Sequence, residues 1–373
     1  MRQRFAREGA QGPRIVVEGR EYLAFCSNDY LGLANHPRIV EAAVDAALRH
    51  GIGQGASHLL GGHSAAHEHL ESALAEFVRM PRALLFSSGY QANIGAITAL
   101  AGPGDAVFSD ALNHASLIDG MRLSRAQVVR YPHADVDFLS QAIAASSGKT
   151  KLVVTDSVFS MDGDMAPIPA LLDLCERHDA LLLLDDAHGF GIVGAEGRGS
   201  AAHFGLRSPR IVYVGTLGKA AGVSGAFVAG TAEVVEIVLQ RARTYIYTTA
   251  APAMLAAAVE ASLQLIRKEE WRREHLRKLI AALKQSLRDA ETELIPSDTP
   301  IQPLVLGSNP RALGASAALR ERGILVPAIR PPTVPEGTAR LRISLSAAHR
   351  EQDVSRLATA LREVCRSGGE AHA

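Results

Sequence analysis

Short apolar runs alternate with amphipathic segments through the middle of the chain. The apolar runs cover residues 83–86, 106–109, 127–131, 151–155, 180–184 and 211–214. Apolar residues at helical spacing in the segments between them predict helices that end near residues 100, 123, 146 and 178. Strands this apolar are covered on both faces, which is typical of a parallel sheet between two layers of helices. The pattern therefore predicts an α/β fold with a mainly parallel sheet.

The flanking segments have a different pattern. The predicted elements there are two strands within 14–25, helices over 37–50 and 65–79, helical segments within 233–289, strands at 301–306 and 340–345, and two further helices. We therefore expect three parts: an N-terminal arm (1–35), a large α/β domain (36–240), and a smaller α+β domain with a connecting helix (241–373).

Composition excludes several classes of protein. Hydrophobic residues make up 47% and charged residues 21% of the 373 positions, as in ordinary globular proteins. Lys+Arg and Asp+Glu both number 39, so no basic field attracts nucleic acid or anionic lipid. The three cysteines lack metal-ligand spacing, and the N-terminus has no apolar signal segment. These features predict a cytoplasmic protein with neither a nucleic-acid nor a membrane partner.

One lysine stands in a loop of small residues after the run at 211–214. Gly215, Gly218, Gly222 and Gly225 surround Lys219 and allow close approach of backbone and ligand. Desolvation among apolar groups favours the neutral amine, which can form a Schiff base. The alternative is an ordinary surface lysine.

Polar side chains follow several predicted strands, at the edge where open α/β sheets bind ligands. Ser87, Ser88, Gly89 and Tyr90 open a helix after one strand, which suits either a phosphate or a simple helix cap. Thr216 lies three residues before the lysine, close enough to share a ligand with it.

Acidic and imidazole groups follow three other strands. Asp185 and His188 come after the most apolar strand, where the carboxylate is placed to pair with a protonated ring nitrogen. Asp156 and Ser160 follow another strand, and His114 follows a third, with an imidazole suited to stacking on a flat ligand. A capping aspartate and a structural histidine are the alternative for the first pair.

A glycine motif in the chain does not bind a dinucleotide. Residues 189–194 match G-x-G-x-x-G after a strand, but further glycines follow and no helix opens there. The acidic residue expected about 20 positions later is also missing. The dinucleotide interpretation is therefore rejected.

The predicted site contains a lysine, an acid, a stacking histidine and a phosphate site. These are the groups that bind pyridoxal 5'-phosphate. The sequence resembles the α-oxoamine synthase family of fold-type I pyridoxal-phosphate enzymes along essentially its whole length. The motifs that carry the resemblance are Ser27-Asn-Asp-Tyr-Leu-Gly32, Asn113-His-Ala-Ser116, Val158-Phe-Ser-Met-Asp-Gly163, Asp185-Asp-Ala-His-Gly189 and Thr216-Leu-Gly-Lys219.

The resemblance implies a role for each matching residue. It makes Lys219, His114 and Asp185 catalytic, with Lys219 holding the cofactor, Asp185 at its pyridine nitrogen and His114 stacked on its ring. The other cofactor contacts that it implies are Gly89, Tyr90, Ser160, His188, Thr216 and Thr248. It implies substrate contacts at Arg2, Asn28, Thr333 and Arg342, where Arg342 takes the carboxylate. Arg340 points to the same face of a predicted strand, so either arginine suits that role. Thr248 would reach the phosphate of a neighbouring subunit, which implies a homodimer with shared sites.

The C-terminal stretch narrows the expected reaction. Residues 329–335 and 337–342 are similar to the family member that condenses L-alanine with a pimeloyl thioester and releases carbon dioxide. Three alternatives stay open: a sister synthase that uses glycine, such as glycine C-acetyltransferase, an aminotransferase, and a non-catalytic pyridoxal-phosphate protein. Coenzyme A and a carrier protein are both open as acyl carrier.

Overall fold

The computed structural model describes residues 4–288 and 293–367. Its strands are β1 (Arg7–Glu8), β2 (Arg14–Val17), β3 (Arg20–Ala24), β4 (Arg82–Phe86), β5 (Ala106–Asp110), β6 (Gln127–Tyr131), β7 (Lys151–Asp156), β8 (Leu181–Asp185), β9 (Ile211–Thr216), β10 (Ala226–Gly230), β11 (Glu293–Leu294), β12 (Ile301–Gly307), β13 (Ile324–Leu325), β14 (Ala328–Ile329) and β15 (Ala339–Ser344).

The helices are α1 (Pro37–His50), α2 (Ala65–Val78), α3 (Gly89–Leu100), α4 (Ala115–Ser124), α5 (Val136–Ala144), α6 (Ile168–Arg177), α7 (Ser200–His203), α8 (Ala232–Arg241), α9 (Arg243–Ile246), α10 (Ala253–Lys268), α11 (Glu270–Leu287), α12 (Asn309–Glu321) and α13 (Glu351–Ser367). Two 3₁₀ turns, His58–Leu60 and Ala195–Gly197, accompany them. No helix in the described ranges has the length and apolar character needed to cross a bilayer.

The chain divides into two compact units. One consists of Pro37–Phe159 and Met165–Lys268, and the other of Met1–His36, Ser160–Asp164 and Glu269–Ala373. We call them the sheet unit and the terminal unit.

The sheet unit is built on seven strands in the order β4-β10-β9-β8-β7-β5-β6. The pairs from β9 to β6 are parallel, while β10 pairs antiparallel with both β4 and β9. The predicted mainly parallel sheet is therefore confirmed, and β10 is the strand that the pattern missed. β10 reads Ala-Phe-Val-Ala-Gly directly after a glycine-rich loop, and its alanines and glycine are poor strand formers, so the run does not stand out.

Helix α3 lies in the core of the sheet unit beside α4. Its buried residues include Ala92, Ala96 and Ile97, which have no accessible surface. A Cβ on Gly120 of α4 would lie 3.0 Å from Cδ1 of Ile97, so the lack of a side chain there allows the two helices to pack closely. Because α3 follows β4 and α4 follows β5, the N-termini of both helices lie at the carboxyl edge of the sheet.

The terminal unit contains two four-stranded sheets, ordered β1-β2-β3-β13 and β11-β12-β15-β14. β13 pairs in parallel with β3, although about 300 residues separate the two strands in sequence. All six residues of β15 are buried, including Arg340 and Arg342. Charged side chains at two core positions of a strand are unusual and need partners.

Candidate functional site

A tight loop between β9 and β10 carries Lys219. The N–H of Leu217 donates to the carbonyl of Gly225 (2.9 Å), and the N–H of Val223 donates to the carbonyl of Leu217 (2.9 Å). Gly225 has a φ of +101°, which glycine adopts without steric cost. Lys219 is half-buried, and its Nζ lies 2.9 Å from Nε2 of His188. Two residues that the sequence analysis selected from different strand ends are thus in contact.

Asp185 ends β8 at the same edge of the sheet. Its carboxylate is only 5% exposed. Oδ2 accepts a hydrogen bond from Nδ2 of Asn93 (2.6 Å), and Oδ1 accepts one from the backbone N–H of Ala187 (3.0 Å). Each oxygen retains a further lone-pair position, so the carboxylate can accept a hydrogen bond from an N–H or O–H group of a ligand.

A chain of hydrogen bonds connects Asp185 to His114. Asn93, 1% exposed, also donates to Oγ of Ser116 (2.8 Å), which in turn lies 2.7 Å from Nδ1 of His114. The backbone N–H of Ser116 donates to the same Nδ1 (3.2 Å). Because a backbone amide can only donate, Nδ1 is the acceptor and the proton of the neutral imidazole sits on Nε2.

The charge state of His114 follows from its surroundings. Desolvation lowers the pKa of the imidazole, the Asp185 carboxylate works in the opposite direction, and the Lys219 ammonium lowers it further. The neutral ring is therefore favoured, with Nε2–H as its donor. A neutral, oriented imidazole can stack on a flat ligand and donate one hydrogen bond.

Asp156, at the end of β7, fixes the backbone of His114. Its Oδ2 accepts a hydrogen bond from the N–H of His114 (2.6 Å). On the neighbouring strand β8, Asp185 is the residue paired in register with Asp156. Burial raises the pKa of Asp156 well above its usual range, and the Asp185 charge raises it further. Asp156 thus holds the backbone of His114 in place, and the rise of its pKa weakens its negative charge beside Asp185.

The N-terminus of α3 and the end of β9 form an open cradle. Ser88 caps the helix, and its Oγ accepts from the N–H of Gln91 (3.3 Å), so the capping interpretation of this serine is correct. A Cβ built on Gly89 would meet no protein atom nearer than Oγ1 of Thr216, at 3.9 Å. The space in front of Gly89 is thus bounded by a helix N-terminus and a hydroxyl, which suits an anion.

Two other predicted contacts of the phosphate site lie nearer the surface. Tyr90 is 46% exposed, and its hydroxyl donates to Oδ2 of Asp119 (2.5 Å). Thr248 is half-buried in the segment after α9, next to Thr249, which forms an isolated bridge with Ser57.

Arg342 lies in the terminal unit and has only neutral partners. Its Nε donates to the carbonyl of Ser160 (2.5 Å), and its Nη1 donates to Oγ of Ser344 (2.8 Å) and to Oδ1 of Asn28 (3.2 Å). Nη2 lies 3.4 Å from the hydroxyl of Tyr30. Within residues 4–288 and 293–367, no carboxylate lies at ion-pair distance from this guanidinium, which is 5% exposed. The structure thus brings together three predicted residues, Asn28, Ser160 and Arg342.

Arg340 has a counter-ion. Its Nη1 lies 2.6 Å from Oδ1 of Asp162. Thr333, another predicted substrate contact, is exposed in the loop between β14 and β15. Arg2 lies outside the described residues.

Asn93 and Ser116 were missed as functional residues. Asn93 is a polar residue on the buried face of α3, one turn beyond Gly89, and this spacing is the signal that points back to the strand ends. Ser116 belongs to the quoted motif Asn113-His-Ala-Ser116 but received no role. Its function depends on Nδ1 of His114, which only the three-dimensional arrangement identifies.

The chain is similar to known proteins over most of its length. Residues 20–361 match the family Aminotransferase class I and II. The 8-amino-7-oxononanoate synthase of Nitrosospira multiformis is 62% identical over 365 residues, covering 98% of this chain and 92% of that protein. The enzyme of the same name from Nitrosomonas europaea is 58% identical over 366 residues, covering 97% and 95%.

Solved structures show the same fold. Serine palmitoyltransferase of Sphingomonas wittichii superposes with a TM-score of 0.94 at 32% identity, covering 98% of this chain and 92% of that one. The 8-amino-7-oxononanoate synthase of Francisella tularensis has a TM-score of 0.81 at 30% identity, covering 94% and 99%. The predicted fold-type I architecture is confirmed. The chain belongs to the aminotransferase class I and II family and, within it, to the α-oxoamine synthases.

Proposed function

We propose that the protein is a pyridoxal-phosphate-dependent acyltransferase that makes 8-amino-7-oxononanoate, an intermediate of biotin synthesis. The α-carbon of L-alanine forms a bond to the carbonyl carbon of a pimeloyl thioester, the alanine carboxylate leaves as carbon dioxide, and the thiol carrier leaves from the acyl group. The observation that carries the proposal is the constellation of Lys219, His188, Asp185 and His114 at one sheet edge, in a chain 57–62% identical to synthases of this name.

The residues at the sheet edge suit the cofactor. When bound, pyridoxal phosphate withdraws electrons from the α-carbon of an amino acid through its protonated ring. Lys219 would hold its aldehyde carbon, and the buried carboxylate of Asp185 would keep its ring nitrogen protonated. The open cradle at Gly89 and Thr216 would hold the phosphate.

Lys219 is also the group best suited to move the α-proton. Its side chain extends from a loop that two backbone hydrogen bonds close, so the backbone positions Nζ at the sheet edge. His188, 2.9 Å from Nζ, would compete for the amine proton and keep the lysine near one face of the ligand.

His114 would cover the other face of the ring. Its orientation is fixed by the backbone bond to Asp156 and by Ser116, so the imidazole needs little reorganisation on binding. The Nε2–H tautomer would present a donor to the reacting groups.

Arg342 is our candidate for the alanine carboxylate. A buried guanidinium that has only neutral partners is incompletely compensated, and a carboxylate ligand would complete it. Arg340 is a weaker candidate because Asp162 already neutralises it.

The enzyme would work as a cytoplasmic homodimer. Thr248 would contribute to the phosphate site of the partner, as the family resemblance implies.

The test is a condensation assay with purified protein. We expect 8-amino-7-oxononanoate from L-alanine and pimeloyl-CoA, with glycine and L-serine giving little or no product. Borohydride should fix the cofactor to Lys219 in the wild type and leave Lys219→Ala unlabelled. Preferred use of glycine, or labelling of another lysine, would contradict the proposal.

A further inference from the structure

A second cluster of titratable groups surrounds a cavity of about 400 Å³ in the sheet unit, at its β4 side. His63 precedes α2, and Glu68 and Glu71 lie on that helix three residues apart, so both carboxylates share one face. One ligand atom from each of the three residues lies within 4.8 Å of the others. None of these residues belongs to the site proposed for the condensation.

We propose that His63, Glu68 and Glu71 form a binding site for a divalent transition-metal ion, with Zn²⁺ as the preferred occupant. One imidazole nitrogen and two carboxylates, completed by water, are a donor set that zinc accepts. The imidazole argues against magnesium and calcium, which prefer oxygen ligands throughout.

Hydrogen bonds orient the proposed ligands. Nδ1 of His63 lies 2.9 Å from Nδ1 of the buried His58, and Nε2 faces Oε2 of Glu68 at 3.1 Å. When His63 donates through Nδ1 to His58, its Nε2 lone pair points at the position of the ion, as in metal sites whose second ring nitrogen is held by an outer partner. The N–H of Leu85 anchors Oε1 of Glu71 at 2.8 Å.

His67 is the neighbouring imidazole that the site does not use. Its Nδ1 accepts from the backbone N–H of Ser64 (3.0 Å), and its Nε2 donates to the carbonyl of Ala251 (2.7 Å). Both ring nitrogens are therefore committed to capping α2 and holding the segment before α10. This leaves one histidine and two glutamates as the donor set.

The charges around the cavity favour a cation. Arg82 lines the cavity, but Oε2 of Glu236 lies 2.6 Å from its Nη1 and neutralises it. Glu68 therefore offers a carboxylate to a cation, and a cation in the cavity would favour the ionised form of the half-buried Glu71. A hydrogen-bond chain from His58 through His63 to Glu68 accounts for the positions of His63 and Glu68 without an ion. The carboxylate of Glu71, which the N–H of Leu85 holds, lies within reach of the same ion.

The test is a Zn²⁺ titration of chelator-treated holoenzyme by calorimetry, with thermal unfolding followed in parallel. We expect one ion per chain and a higher unfolding temperature with Zn²⁺, because the ion binds the folded state. His63→Gln, Glu68→Gln and Glu71→Gln should each weaken binding about tenfold or more. His69→Gln, an exposed histidine on the same helix, should leave it unchanged.

Two results would overturn the proposal. One is a Zn²⁺ affinity of His63→Gln equal to that of the wild type. Should His63→Gln not fold, the same result in Glu68→Gln, a substitution at an exposed side chain, would overturn it. The other is loss of binding in a Cys26→Ser/Cys365→Ser variant with the cluster intact, which would assign the ion to thiols. Binding is measured without substrates, so failure of the condensation assay would not affect this result.

Discussion

Two buried arginines lie two residues apart on β15, and their partners distinguish them. Arg340 is paired with Asp162, whereas Arg342 donates to a carbonyl, a hydroxyl and an amide oxygen. Burial of a guanidinium without a counter-ion is costly, and a ligand carboxylate recovers part of that cost as binding energy. The two side chains should therefore respond differently to the same substitution.

We expect Arg342→Lys to raise the KM for L-alanine and to lower turnover, because lysine keeps the charge but loses the planar fork. Loss of one charged hydrogen bond costs about 1.5–3 kcal/mol, so kcat/KM for alanine should fall about 10- to 100-fold. Arg340→Lys is the matched control and should change alanine kinetics little. A selective defect for the pimeloyl thioester in Arg342→Lys, with the alanine defect in Arg340→Lys, would exchange the two assignments.

A second expectation concerns the connection between Asp185 and His114. Ser116→Ala removes the hydroxyl that lies between Asn93 and Nδ1 of His114 but keeps the backbone donor. One hydrogen bond is worth about 0.5–1.5 kcal/mol, so turnover should fall about 2- to 10-fold while cofactor content is unchanged.

A double-mutant cycle tests whether the connection acts as one unit. Asn93→Ala should cost more than Ser116→Ala, because it also removes the donor to Asp185. The double variant should lose little beyond Asn93→Ala alone, because both substitutions break the same chain. Fully additive losses in turnover would mean that the two side chains act separately.

Sequence reasoning selected Lys219, Asp185 and His188 because each follows a strand that is recognisable from its apolar run. It could not separate Arg340 from Arg342, since a period of two places both on one face of β15. What distinguishes them is Asp162, which lies 178 positions away in sequence. Such distant partners leave no signal in local periodicity.

At the level of elements, two consecutive aspartates at the end of β8, Asp185 and Asp186, have different surroundings. Asp185 faces the proposed cofactor site, and Asp186 points into the protein. The carboxylate of Asp186 has no accessible surface and accepts from the hydroxyls of Ser157 and Tyr213 and from the N–H of Ser200. Burial raises the pKa of Asp186 to about 6, although these three donors lower it.

This shift predicts a pH dependence of stability. Between pH 3.8, the ordinary pKa of an aspartate, and about pH 6, Asp186 is protonated in the folded state and ionised in the unfolded chain. The contribution of Asp186 is therefore fully present below pH 4 and is lost as the pH rises through 6, by an amount of about 3 kcal/mol.

Asp186→Asn should abolish that dependence. We expect the difference in urea midpoint between wild type and this variant to shrink as the pH rises from about 4 to about 6. Asp173→Asn, which changes an exposed carboxylate on α6, should give a difference that does not vary with pH in this way. A flat difference for Asp186→Asn would show that the buried carboxylate does not titrate in this range.

Most elements were predictable, and the exceptions have physical reasons. Helix α1 begins and ends at the predicted residues, because its apolar spacing is regular and Pro37 suits the first turn. The helical pattern over 233–289 divides into α8, α9, α10 and α11 in the described residues. Pro252 accounts for the start of α10, since proline is tolerated at a helix start and disrupts a helix interior. The break between α8 and α9 has no such marker.

At the level of the whole molecule, the fold class follows from local patterns, but the pairing of distant strands does not. The alternation of apolar runs and helices was enough to predict the parallel sheet of the sheet unit. The parallel pairing of β3 with β13 joins segments from opposite ends of the chain, and neither segment indicates its partner. Assembly is a further property at this scale, and it depends on which surfaces stay apolar.

Helix α1 presents an apolar stripe to solvent. Val40, Val44 and Leu48 recur every four residues on one face and are 47%, 52% and 82% exposed, and Ile52 continues the stripe at 75%. Leu60, in the loop before α2, is 82% exposed. Exposed large apolar side chains along one helix face are typical of an interface. We expect a second copy of the chain to cover it in the proposed homodimer.

Leu48→Glu should therefore weaken the dimer. Burial of one leucine contributes about 1.5–3 kcal/mol, and a two-fold interface counts each substitution twice, so the dissociation constant should rise about a hundredfold or more. The measurement is sedimentation equilibrium over a range of protein concentrations. Leu313→Glu, the same change at a leucine that is 43% exposed on α12, is the matched control and should leave the dimer intact. Condensation activity of Leu48→Glu should fall as the protein is diluted, because Thr248 would no longer reach a partner's phosphate site. An intact dimer in Leu48→Glu would exclude this face of α1 from the interface.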